Sequence, residues 1–127
     1  MRMRAAILMT TTLLMQQVLA AGAPPAPEGF ALGGDASKGA ATYKQYCAMC
    51  HGDAGKGDGI AAAALNPKPK NLADKELMSR ISDWEIYLVI KEGGAAAGLS
   101  PMMTSWKAVL NDEQIRDVAA YVRTLAK

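Results

Sequence analysis

The chain has 127 residues, half of them hydrophobic, enough for one domain with its own core and too few for two. Fourteen Lys and Arg against twelve Asp and Glu leave a formal charge of +2, far short of the basic excess of a nucleic-acid binder, and the apolar fraction argues against disorder. Two cysteines exclude a disulfide-rich scaffold, and the chain has a single histidine.

Met1-Arg2-Met3-Arg4 is a short positive start, and residues 5–21 follow without charge and rich in Leu, Ile, Met and Ala. That build predicts a bacterial-type signal peptide over residues 1–21, cleaved after Ala20 or Ala21, and a soluble periplasmic product with no membrane attachment. A retained anchor would need about 20 uninterrupted apolar residues, and Thr10, Thr11, Thr12, Gln16 and Gln17 break the run. Without Arg2 and Arg4 the basic and acidic residues balance, which again removes nucleic acid as a partner. Residues 22–34, with Pro24, Pro25 and Pro27, predict a flexible linker, since proline fixes φ and removes backbone donors. The folded domain is expected over residues 35–127.

Helices separated by Gly- and Pro-marked loops fill that domain. Asp35 or Ser37 can cap a helix carrying Ala40, Tyr43 and Tyr46 into Cys47. The loop from Gly52 to Gly59 holds four glycines. An Ala-rich turn over 60–65 leads to Pro67 and Pro69, which end any helix, and residues 74–80 have room for a turn or two. Ser82 and Glu85 form a capping box for a helix through Ile86, Val89 and Ile90 that stops at Gly93-Gly94. In the last helix, capped by Asn111 with Gln114, Ile115, Val118, Val122 and Leu125 repeat along one face. No segment alternates with period two, so the class is all-α.

The chemistry lies in Cys47-Ala48-Met49-Cys50-His51. Two thiols two residues apart with a histidine directly behind the second are the signature of c-type haem attachment. Each sulfur adds to one vinyl group, and the imidazole of His51 is carried under the iron as proximal ligand. A structural zinc site wants four Cys or His ligands, and this chain has three such residues. A thioredoxin-like pair would follow a strand, and none precedes Cys47. A disulfide across two residues would close too small a loop to stabilise much. The chain's sole histidine falling at the required position decides for one covalently bound haem c.

From about Asp35 to the C-terminus the chain resembles the small soluble mono-haem class I cytochromes c. The resemblance implies four to five short helices wrapped around one covalent haem, with the N- and C-terminal helices crossing where Gly39 and Tyr43 meet Val118 and Tyr121. A small residue at such a crossing also makes sense from helix packing alone. Opposite His51, with no second histidine, methionine is the natural candidate, from Met49, Met78, Met102 or Met103 in the mature chain. Met49 lies inside the attachment loop and Met78 on a predicted helix. In the family the ligand stands three residues before an aromatic, which Met103 matches with Trp106, although Thr104 replaces the usual proline. Met103 is thus the expected distal ligand and Met102 the second choice. Pro67 and Pro69 either present a backbone carbonyl to the histidine's other ring N–H or stiffen the loop. Trp84, Tyr87, Trp106, Lys70 and Asn71 have the character to approach haem propionates.

An iron held by His and Met has no vacant position for substrate. The expectation is therefore a monomeric one-electron carrier, not an enzyme, docking transiently on redox protein partners at the haem edge. The competing expectation keeps the chemistry and makes the chain a dedicated cytochrome c subunit of a larger dehydrogenase or oxidase.

Overall fold

Helix ends follow the capping residues in the sequence. The structure, a computed structural model, describes residues 22–127, so the expected signal peptide over 1–21 lies outside the described residues. Asp35 accepts from the Ser37 N–H at 2.9 Å and opens α1 (Ala36–Tyr46). α2 (Ala48–His51) follows almost without a break. Asp74 accepts from the Leu77 N–H at the start of α3 (Lys75–Ser79). The Ser82–Glu85 capping box opens α4 (Asp83–Glu92), which ends at Gly93 with φ of 90°. The Asn111–Gln114 box opens α5 (Asp112–Leu125). Short 3₁₀ turns occupy Ala62–Ala64 and Gly94–Ala97. Among the described residues there is no strand, and no helix is long and apolar enough to cross a membrane.

The principal helix contact crosses α1 over α5. Gly39 makes it possible: a Cβ built there would lie 2.0 Å from the Asp117 carbonyl oxygen. Around that point Val118 and Ala119 are wholly buried, and the rings of Tyr43 and Tyr121 pack 5.1 Å apart. The predicted stripe Ile115, Val118, Val122 and Leu125 is buried along its length. The Tyr43 hydroxyl donates to the Gly52 carbonyl at 2.7 Å and ties α1 to the loop behind α2. Asp117 accepts from the Asp35 N–H at 2.7 Å, joining the start of α1 to α5.

Residues 24–34 differ from the free linker that their prolines predict. Their backbone is irregular, as proline dictates, yet it is tied down. Phe30 packs against Trp84 and Tyr87 with ring centroids 5.0 and 5.4 Å away, and Leu32 is buried. The Trp84 indole N–H donates to the Pro24 carbonyl at 2.8 Å. Arg116 lies over both Phe30 and Tyr87 and donates through Nη1 to the carbonyls of Ala31 and Leu32 at 2.7 and 3.0 Å. Its Nε pairs with Asp112 at 2.7 Å. Replacing Arg116 with Met leaves two carbonyls without their donor, and no lysine could restore the fork. The expected result is a loss of about 2 kcal/mol in denaturant unfolding. It should come with faster proteolysis in residues 24–34 and unchanged cofactor content.

Candidate functional site

α1 delivers Cys47 to the start of α2, and one turn of α2 carries Cys50 and His51. Cys47 and Cys50, three residues apart, stand about one helical turn from each other. The last carbonyls of this short helix find donors in the glycine-rich loop behind it. Met49 accepts from the Ala61 N–H at 2.9 Å, Cys50 from Gly59 at 3.1 Å and His51 from Gly57 at 2.8 Å. The attachment motif is thus bound to its following loop by backbone bonds.

Cys47, His51 and Met103 converge on one cleft of about 240 Å³, whose wall is largely Leu72, Leu77, Ile81, Ile86, Val89 and Ile90. Cys50 is partly buried and is not part of the cleft lining. Burial pushes the Cys47 thiol up to about 12, with the neighbouring Cys50 adding to the shift, so the sulfur is a neutral thiol. His51 places Nδ1 3.2 Å from the Lys70 carbonyl. A carbonyl only accepts, so Nδ1 carries the proton and Nε2 keeps its lone pair. Burial also lowers the His51 pKa below its ordinary value, partly offset by that carbonyl, which favours the neutral ring a metal requires.

The methionines separate clearly. Met103 is partly buried and lines the cleft, whereas Met102 beside it is 59% exposed. Met49 is exposed on the outside of α2, and Met78 is buried in the helical core away from the cleft lining. The histidine's partner is the carbonyl of Lys70, not that of Pro67 or Pro69; Pro69 immediately precedes it and was the one local hint. Trp84 and Tyr87 point away from the cleft toward Phe30, and Trp106 packs on Tyr46 at 5.4 Å, while Lys70 is at the cleft rim.

These residues suit a ring that brings its own metal. Among the described residues no group of three or more His, Cys, Asp or Glu side chains could hold an ion. Two thiols in the Cys47–His51 segment, with one imidazole and one thioether on the lining of the same apolar cleft, have the chemistry such a ring needs.

Residues 36–126 match the family described as Cytochrome c. The chain is similar to the Cbb3-type cytochrome c oxidase subunit FixP of Bradyrhizobium diazoefficiens, with 31% identity over 93 residues. That alignment covers 73% of this chain and 28% of FixP, so the chain spans little more than a quarter of that curated relative. Among solved structures it is similar to the KustC0563 c-type cytochrome, with a TM-score of 0.58 and 28% identity over 70% of this chain and 98% of that one. It is also similar to a chain of the Kuenenia stuttgartiensis reducing HAO-like protein complex Kustc0457/Kustc0458, with a TM-score of 0.55 and 27% identity over 72% of this chain and 43% of the other.

Proposed function

The chain belongs to the cytochrome c family of electron-transfer proteins with covalently bound haem c, and from that premise we propose that it is a periplasmic one-electron carrier with His51 and Met103 as axial ligands. Bound haem c supplies an iron that takes up and gives back a single electron. Cys47 and Cys50 would hold the ring as thioethers. His51, held by the Lys70 carbonyl at Nδ1, would offer Nε2 to the iron, and Met103, on the lining of the same cleft, would offer its thioether sulfur. A soft thioether favours the reduced iron and so raises the potential. If His51 and Met103 both ligate the iron, no position would be left open to substrate, which suits electron transfer rather than catalysis. The observation that carries this reading is the convergence of Cys47, His51 and Met103 on one apolar cleft.

The folded domain is taken as residues 35–127, preceded by a cleaved export signal over 1–21 and a segment 22–34 that packs on it. The protein acts as a monomer that docks briefly on redox partners near the haem edge. Similarity to a protein named as an oxidase subunit favours one further reading, a dedicated cytochrome c subunit of a larger complex. Tight co-purification with a catalytic partner would select it over free diffusion.

The ligand assignment is tested by Met103→Ala and Met102→Ala made separately in the holoprotein. Met103→Ala is expected to abolish the red Met–iron absorption band and lower the potential, and Met102→Ala to leave both unchanged. The reverse pattern would assign the iron to Met102.

A further inference from the structure

We propose that Gly94 and Ser105 are positioning residues for the Met103 thioether, clamping the loop that carries it to the C-terminal end of α4. The proposal rests on Met103 as iron ligand. A helix leaves its last four carbonyls without partners inside the helix. At the end of α4, Val89 is satisfied locally by the Gly93 N–H at 2.9 Å. The next two carbonyls are satisfied from beyond Met103. Ile90 accepts from the Trp106 N–H at 3.0 Å, and Lys91 accepts from the Ser105 hydroxyl at 2.6 Å and the Lys107 N–H at 3.3 Å. In return, the Gly94 N–H donates to the Met103 carbonyl at 2.8 Å. The donors at 105–107 and the acceptor at 103 therefore bracket the methionine on both sides.

The seam closes only because position 94 has no side chain. A Cβ there would lie 2.2 Å from the Ser100 carbonyl oxygen and 3.2 Å from the Met103 Cβ. Any larger residue must push away the loop between Ser100 and Met103. The same helix supplies Ile86, Val89 and Ile90 to the cleft wall, so fastening the loop to its end holds Met103 over that wall while Met102 stays in solvent. Ser105 contributes a side-chain bond to the seam beside the Lys107–Glu92 ion pair at 2.6 Å, and its hydroxyl can be removed without adding bulk.

The test uses covalently loaded Ser105→Ala, Ser105→Thr and Gly94→Ala proteins beside Met103→Ala, with absorption spectra and titration with imidazole as an external ligand. Ser105→Ala and Gly94→Ala are expected to retain thioether-linked haem and helix content. They should lose about half or more of the red Met–iron band and bind imidazole about tenfold more tightly. Ser105→Thr keeps a hydroxyl donor and should restore both readouts. Ser105→Ala is decisive, including where Gly94→Ala yields no folded protein. A wild-type band and imidazole affinity in Ser105→Ala, with Met103→Ala losing the band, overturns the clamp and leaves the ligand in place. A band that survives Met103→Ala overturns both.

Discussion

Cys47→Ala combined with Cys50→Ala yields a protein from which acidified acetone extracts the pigment completely, while the parent keeps its colour on the polypeptide. Cys47 caps α2 and Cys50 stands one helical turn on within it, and the backbone bonds from the loop at 57–61 hold that turn in place. Each single variant keeps one tether and should retain pigment on the chain, with an alkaline pyridine spectrum between those of the parent and the double variant. Haem that stays covalently bound in the double variant would refute the attachment assignment. The pigment-free protein should also fold poorly. Burial of apolar ring surface contributes about 25 cal/mol per Å², and domains of this size keep only about 5–15 kcal/mol of net stability. Leu72, Leu77, Ile81, Ile86, Val89 and Ile90 would otherwise face an open cleft. Loss of a cooperative thermal transition in circular dichroism is the expected result, and a parent-like transition in the pigment-free chain would contradict it.

Gly39→Ala is expected to destabilise the holoprotein by about 3 kcal/mol, a fall of roughly 15 °C in Tm. Helix propensity alone gives the opposite sign, because alanine inside a helix is favoured over glycine by about 1 kcal/mol. Packing decides the outcome. The new Cβ would stand 2.0 Å from the Asp117 carbonyl oxygen, 2.5 Å from its carbon and 2.8 Å from the Val118 Cα. All three are backbone atoms, so no side-chain rotation relieves the clash and α1 must lift from α5. That motion opens the contacts of Tyr43 with Tyr121 and exposes Val118 and Ala119. Ala41→Gly, on the exposed side of the same helix, is the control and should cost only about 1 kcal/mol. A Gly39→Ala protein as stable as the parent would mean that the crossing is not held by this close approach.

Neighbouring residues wrote much of the fold into the sequence. Asp35, Ser82 with Glu85, and Asn111 with Gln114 cap the helices they predict, because a cap bonds to a backbone group two or three residues away. The apolar stripe of α5 was legible for a similar reason, since 3.6-residue periodicity is a property of consecutive positions. The short helix over Ala48–His51 was not predicted, and the loop behind it supplies the donors for its carbonyls. In residues 22–34 the prolines masked Phe30 and Leu32, whose partners Trp84, Tyr87 and Arg116 come from helices far along the chain.

By itself the sequence determined the haem-attachment motif, the ends of the capped helices and the place of the chain's sole imidazole, because each depends on spacing between close neighbours. Three features were decided only by the tertiary structure. The Lys70 carbonyl lies against His51, the N-terminal segment lies against α4 and α5, and the loop carrying Met103 is bonded to the end of α4. Each depends on backbone atoms from distant segments closing to about 3 Å, a distance no local pattern of residue types encodes.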